Sequence, residues 1–207
     1  MSLILIPSVE RRVIRAPSLE LRAAANTPPK LGGYAALFNS ASDDLGGFTE
    51  VISPGAFRNA IPKSDIRALF NHDPNYVLGR NKAGTLSVSE DNRGLAMEVE
   101  PPDIGWVRDL LVSVARGDID QMSFGFRVAP NGDEWVITDD AVTRTISEFD
   151  ELFDVSVVTY PAYPDTDVAV RSMDAWKKQH EIVTAPPATV QRDIRRRRQK
   201  LFEAMNR

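Results

Sequence analysis

The sequence predicts an α+β domain in which a bent β-barrel core, or a strongly bent sheet, is surrounded by a few helices. Short runs rich in β-branched and aromatic residues recur between about residue 8 and residue 172, separated by turn residues. At least one segment between them has the apolar repeat of a helix. The 207 residues, 43% hydrophobic and 26% charged, suffice for one globular core.

The predicted strands follow one another along most of the domain. They are the runs 11–24, 31–40, 48–53, 65–70, 84–100, 121–128, 134–146 and 152–164. The run "GTLSVSEDNRGLAMEVE" alternates polar and apolar residues on both sides of "DNRG", which predicts a hairpin. The run "LGGYAALFNS" is apolar between turn residues, which predicts a buried strand.

Two segments predict helices. In "SPGAFRNAIPK", Ser53 suits the N-cap and Pro54 the first helical position. The stronger pattern runs from Asp103, a potential cap, to Gly117, a potential C-terminal stop. Its apolar stripe comprises Ile104, Val107, Leu111 and Val114.

The distribution of charge predicts a second part of the chain. Residues 174–207 hold nine Lys/Arg and four Asp/Glu, whereas residues 1–173 hold 16 of the 25 basic and 25 of the 29 acidic residues. A Pro-Ala linker, "TAPPATV", precedes "VQRDIRRRRQKLFEAMN", whose apolar residues share one helical face. We expect residues 1–173 to form the main domain and residues 174–207 a linker and a basic C-terminal helix.

Composition excludes several kinds of site. The absence of cysteine removes thiolate nucleophiles, disulfides and cysteine-bound zinc. The only histidines, His72 and His180, lie far apart in the sequence, so we expect no metal and no cofactor. The apolar "MSLILIP" is too short for a signal peptide or a membrane span. Binding to nucleic acid is not expected, because the body is acidic and no aromatic residues interleave with the arginines.

Two residues are candidates for nucleophilic chemistry. His72 follows a predicted strand, and an imidazole there could act as a general base, although a histidine before "DP" could equally be a turn residue. Ser123, in "DQMSFGFRV", could be a nucleophile activated by that base or an ordinary hydrogen-bonded hydroxyl. Gly125 would let the backbone approach a substrate closely.

A carboxylate could orient the histidine, and one segment offers several. The candidates in "SEFDELFDVSVV" are Glu148, Asp150, Glu151 and Asp154. Strand alternation predicts one face with Asp154, Ser156 and Val158, and an opposite face with Phe153, Val155 and Val157. The order histidine, serine, acid differs from that of the well-known serine hydrolase folds, and there is no G-x-S-x-G motif.

Several motifs together resemble one family. "GGYAALFN", "FTEVISPGAF", "ALFNHDPNYVLGR", "RGLAMEVE", "QMSFGFRV" and "LFDVSVVTYPAYPDTDVAV", in this order, resemble the prohead (capsid maturation) serine proteases of tailed bacteriophages. That family is related in fold to the herpesvirus assembly proteases. The resemblance covers about residues 10–172 and implies a herpesvirus-protease-like barrel without a cofactor.

The resemblance also implies roles for particular residues. The family base falls on His72 and the nucleophile on Ser123. The third member is usually glutamate, and Asp154 stands at that position, so either the shorter Asp154 approaches the histidine or Glu148 takes its place. Gly125 and Arg127 are candidates for the oxyanion or substrate site.

The implied biology is cleavage inside the procapsid, in the cytoplasm of the bacterial host. The expected substrates are the scaffold or the scaffold-like segment of the major capsid protein, and the protease itself. The resemblance implies a homo-oligomer and no membrane partner. The basic helix would be a packaging or scaffold-docking segment, or a solvated helix without a partner. The alternative function is a non-catalytic assembly protein that keeps the fold; a serine esterase or peptidase outside any virus is a further one.

Overall fold

The computed structural model describes residues 9–14, 19–22, 27–138, 141–160, 173, 174 and 176. The chain divides into two units, Met1–Val170 and Arg171–Arg207, and every described strand belongs to the first. The predicted basic helix at residues 190–206 lies outside the described residues. Within the described parts of the chain, no helix has the length and apolar character needed to cross a membrane.

Twelve strands and one α-helix make up the described part of the first unit. The strands are β1 (Glu10–Ile14), β2 (Leu19–Arg22), β3 (Lys30–Leu37), β4 (Thr49–Ile52), β5 (Arg67–Phe70), β6 (Asp73–Arg80), β7 (Leu86–Glu90), β8 (Gly94–Val99), β9 (Gln121–Val128), β10 (Asp133–Ile137), β11 (Val142–Ile146) and β12 (Phe149–Val158). The helix is α1 (Gly105–Arg116), and Asn81–Ala83 form a short 3-10 turn.

The strands form three sheets. The first has the order β1-β9-β12-β5-β6, the second β2-β3-β8-β7 and the third β10-β11-β4. Their pairs are antiparallel except for β12 with β5 and β11 with β4. The predicted hairpin is β7 and β8. The described part of the first unit is therefore mostly β with one α-helix, in agreement with the α+β class.

The expected closed barrel is not formed by the described strands. In the five-stranded sheet, β1 pairs only with β9 and β6 only with β5, so the hydrogen bonding ends at two edges. A barrel requires its first and last strands to pair. The sequence predicts a few helices around the core. Among the described residues of this unit, the structure has only α1 and the 3-10 turn.

The helix α1 ends as predicted but begins differently. Gly117 has a left-handed φ of 78°, and its N–H bonds the carbonyls of the last turn. Ile104, with an extended backbone, is the N-cap, while Asp103 accepts a hydrogen bond from Arg108 (2.6 Å). The buried stripe includes Leu110 rather than Leu111.

The segment predicted as a helix from Ser53 is a series of turns. Gly55 has a φ of +93°, outside the helical region. The N–H of Phe57 donates to Glu90 Oε2 (2.9 Å) instead of to the Ser53 carbonyl that a helix requires. The turns still bury Phe57 and Ala60 completely, so the segment contributes to the core without being a helix.

An aromatic cluster holds the turn segment against the first sheet. The ring of Phe57 stacks on that of Phe149 at 4.5 Å and meets Phe124 edge-on at 5.8 Å. Phe126 packs against both Phe124 and Phe149. Strands β9 and β12 thus present one face to this aromatic core and the other to the candidate site.

Buried ion pairs attach β1 to the third sheet. Arg12 donates to Glu50 Oε1 at 2.8 Å and to Glu10 Oε2 at 2.7 Å. Arg144, on β11, donates to the same Glu10 oxygen at 2.8 Å and to Glu50 Oε2 at 3.1 Å. All four side chains are at most 7% exposed, so the charges compensate one another away from water.

Candidate active site

The candidate site lies on the face of β9 and β12 that points away from the aromatic cluster. Met122, Phe124 and Phe126 belong to the core, so strand alternation turns Ser123 and Gly125 to the opposite face. Ser123 lies directly across from Ser156 on β12. Both serines are fully buried.

His72 sits in a tight turn between β5 and β6. Asn71 and His72 have φ values of 54° and 56°, so two successive residues are left-handed. The Asn71 N–H donates to the Val157 carbonyl (2.9 Å), and its side chain exchanges two hydrogen bonds with Thr159 (2.9 and 3.1 Å). These bonds fasten the turn to the end of β12, and asparagine tolerates this conformation better than most residues.

The turn places His72 between a carboxylate and a hydroxyl. Its Nδ1 lies 2.6 Å from Asp154 Oδ1, and its Nε2 lies 2.6 Å from Ser123 Oγ. The side chains of His72 and Asp154 are 7% and 9% exposed. With a proton on Nδ1, the imidazole donates to the acid and accepts from the serine, which is the arrangement needed to activate a hydroxyl nucleophile.

A β-bulge in β12 positions the acid. The register with β9 shifts between Leu152 and Asp154, so Phe153 has no partner opposite it. The ring of Phe153 lies 5.7 Å from the Arg127 guanidinium, on the face of the site, whereas Val155 and Val157 lie in the core. The expected alternation therefore holds for Asp154, Val155 and Val157 but not for Phe153.

Glu148, the other candidate acid, is not brought to the histidine. Its carboxylate accepts a hydrogen bond from Asn59 Nδ2 at 2.8 Å, in an exposed position. Asp154 is the carboxylate in contact with the ring, although its side chain is one methylene shorter than that of glutamate.

Gly125 and Arg127 occupy different environments on β9. A Cβ added to Gly125 would lie 2.5 Å from Asp154 Oδ2, so the glycine leaves room for the acid. Arg127 donates to Asp150 (2.9 Å) and Glu151 (2.6 Å). The hydrogen bond to Asp150, with the two negative charges, raises the pKa of Arg127. Its guanidinium is thus already engaged by two carboxylates.

Sequence reasoning missed two supporting groups. Ser156 donates its hydroxyl to Asp154 Oδ1, the oxygen that contacts His72. Its position two residues from Asp154, on the same strand face, was an available signal. Asn71 and Thr159, which hold the histidine turn, are 88 residues apart, and no local pattern connects them.

The part of the chain that the structure describes contains no group of three or more His, Asp or Glu side chains able to hold a metal ion.

A family model described as the caudovirus prohead serine protease matches residues 17–179. Comparisons with curated proteins and with solved structures found no significant match.

Proposed function

Because this chain belongs to the caudovirus prohead serine protease family, we propose that it is a serine endopeptidase of capsid maturation. Its substrates would be the scaffold or the scaffold-like segment of the major capsid protein, and its own chain. The observation that carries this proposal is the pair of 2.6 Å contacts that His72 makes with Ser123 and Asp154.

The proposed mechanism is acyl transfer. His72 Nε2 takes the proton of Ser123 as the hydroxyl attacks a peptide carbonyl, and then returns it to the leaving amine. In the second step His72 takes a proton from a water molecule, and that water attacks the acyl-serine. Ser123 is regenerated when the acid product leaves.

Asp154 would orient the ring and stabilise its positive charge during the attack. Ser156 assists by holding the same carboxylate oxygen, so the acid is fixed from two directions. The short aspartate suffices because Gly125 lets the carboxylate approach β9 closely.

The remaining assignments follow from the family. We propose that residues 1–173 form the protease domain and that residues 174–207 dock the enzyme to the scaffold during packaging. The enzyme would then act within the procapsid, in the cytoplasm of the host, as a homo-oligomer.

Co-expression with the cognate major capsid and scaffold proteins tests the proposal. Wild type is expected to shorten a capsid or scaffold chain, and Ser123→Ala to leave both chains at full length. Ser87→Ala, an exposed serine on β7, is the matched control and should process like wild type. Processing by Ser123→Ala at the wild-type rate would exclude this mechanism, and assembly without any processing would favour the non-catalytic assembly protein.

A further inference from the structure

Two polar atoms near Ser123 lack partners. Among the described residues, the buried side-chain nitrogen and oxygen atoms without a hydrogen bond are Arg11 Nε and Gln121 Oε1. Arg11 lies on β1 and Gln121 on β9, the strand of Ser123. Buried polar atoms without partners are rare in folded proteins because they lose their bonds to water, so this pair requires an explanation.

Both residues share the sheet face of Ser123. The Arg12 guanidinium lies 5.4 Å from the ring of Phe126 on the core side, so its neighbour Arg11 is on the opposite face. Arg11 is paired across the strands with Gly125, and Gln121 is two residues before Ser123. Arg11 and Gln121 therefore lie on either side of Ser123 along the sheet.

This face includes the side of Ser123 that a substrate must approach. His72 reaches Ser123 Oγ from β5, across β12, and β1 lies on the other side of β9. A peptide carbonyl has to approach the hydroxyl away from the imidazole. From Gln121 to Gly125, opposite Arg11, β9 extends about 13 Å at ~3.3 Å per residue, the length of about four extended peptide residues.

The chemistry of the two groups matches a peptide backbone. A guanidinium only donates hydrogen bonds, whereas the Gln121 carbonyl oxygen accepts them. Arg11 and Gln121 are each partly exposed as residues, while Arg11 Nε and Gln121 Oε1 themselves are buried, so a ligand meets the outer part of each side chain first. Arg127, on the same face, differs because Asp150 and Glu151 already occupy its guanidinium.

We propose that Arg11 and Gln121 bind the substrate backbone on the two sides of Ser123, Arg11 donating to a carbonyl oxygen and Gln121 accepting from an amide N–H. The inference rests on the proposed peptidase function. It adds to that function a residue from β1, which precedes the matched segment 17–179. Each side chain would reorient slightly on binding and gain the hydrogen bond it lacks in the free enzyme.

The test separates substrate binding from nucleophile activation in the full chain. Cleavage of purified cognate major capsid protein gives kcat and KM, and the rate of labelling by diisopropyl fluorophosphate, which has no peptide backbone, reports on Ser123. Arg11→Met and Gln121→Leu are expected to lower kcat/KM about tenfold or more, mainly through KM. Labelling should stay within about threefold of wild type.

Conservative variants and a control complete the design. Arg11→Lys and Gln121→Glu keep a donor and an acceptor, so they should recover part of the lost kcat/KM. Arg93→Met, which removes an exposed arginine stacked on Tyr34, should leave both readouts unchanged.

Three results would overturn the inference. The first is wild-type kcat/KM in Arg11→Met and Gln121→Leu, which leaves the proposed function standing. The second is an equal loss of labelling and cleavage, since that indicates damage to the nucleophile. The third is a wild-type enzyme that neither labels nor cleaves, which rejects the proposed function as well.

Discussion

At the residue scale, the site depends on how closely Asp154 approaches β9. The carboxylate occupies the space above Gly125 that a side chain would fill, and one oxygen contacts both His72 and Ser156. Aspartate has a shorter reach than glutamate, so the missing Cβ at residue 125 and the bulge at Phe153 together bring the acid to the ring. Gly125, a candidate for the oxyanion or substrate site, thus also makes room for the acid.

Gly125→Ala tests this account. The added Cβ would lie 2.5 Å from Asp154 Oδ2, so the carboxylate must move away from His72. We expect kcat for capsid protein cleavage to fall about 100-fold or more, because a misplaced catalytic group is costly. The matched control is Gly105→Ala in α1, where an added Cβ meets no atom within 4 Å. Wild-type kcat in Gly125→Ala would show that Asp154 does not need this position.

At the element scale, β1 is joined to the first sheet by pairing and to the third by charge. Its pairing with β9 places Val13 opposite Ser123, while Glu10 and Arg12 reach Glu50 and Arg144. Burial alone would raise the pKa of Glu10, but the guanidiniums of Arg144 and Arg12 outweigh it and hold the pKa below its ordinary value of 4.5.

The lowered pKa of Glu10 predicts a pH dependence of stability. Since the folded pKa lies below the unfolded one, Glu10 stabilises the fold above about pH 4.5, and this contribution is lost as the pH falls through the folded pKa. Glu10→Gln should therefore lower the free energy of unfolding at neutral pH and flatten its decline in acid. Denaturant unfolding between about pH 3 and pH 7 measures this. Exposed Glu134→Gln should keep the wild-type pH profile, and the same profile in Glu10→Gln would refute the claim.

Sequence patterns predicted local elements better than their partners. The α1 stop at Gly117 and the β7–β8 hairpin depend on neighbouring residues, and both are present. The turns at 53–63 differ from the predicted helix because a distant carboxylate, Glu90, takes the Phe57 N–H. Sheet order depends equally on distant contacts, so an open arrangement could not be told from a barrel by alternation alone.

In the candidate site, too, local sequence patterns indicate some residues, whereas others depend on contacts between distant segments. His72 and Ser123 could be named as candidates because few residue types in this chain can activate a hydroxyl, and the structure brings the two side chains into contact. The bulge at Phe153 and the Asn71–Thr159 bonds arise from tertiary packing and have no local pattern. No local pattern indicates that Arg11 lies near Ser123, because its position opposite Gly125 depends on pairing between segments more than 100 residues apart.

At the scale of the whole molecule, the chain combines an acidic body with a basic end. Residues 174–207 carry nine basic and four acidic residues, against 16 and 25 in residues 1–173. Such an asymmetry suits a catalytic body whose basic segment is attracted to an acidic partner. Catalysis and docking would then be separable.

Deletion of residues 174–207 tests this separation. The truncated chain should be labelled by a serine-reactive probe at a rate within about twofold of wild type, because Ser123 and Asp154, which contact His72, both precede the deleted segment. Co-assembly with scaffold protein, measured by sedimentation of procapsids, should fall sharply, and that of wild type should weaken as salt rises. Full co-assembly of the truncated chain would contradict the docking role.

The central claim is that His72 and Asp154 activate Ser123, and adduct mapping with a fluorophosphonate probe tests it most directly. Mass spectrometry of labelled, assembled wild type should find one adduct, on Ser123. Labelling should disappear in His72→Ala and fall by about three to four orders of magnitude in Asp154→Asn. An adduct on another serine, or equal labelling of wild type and His72→Ala, would contradict the account.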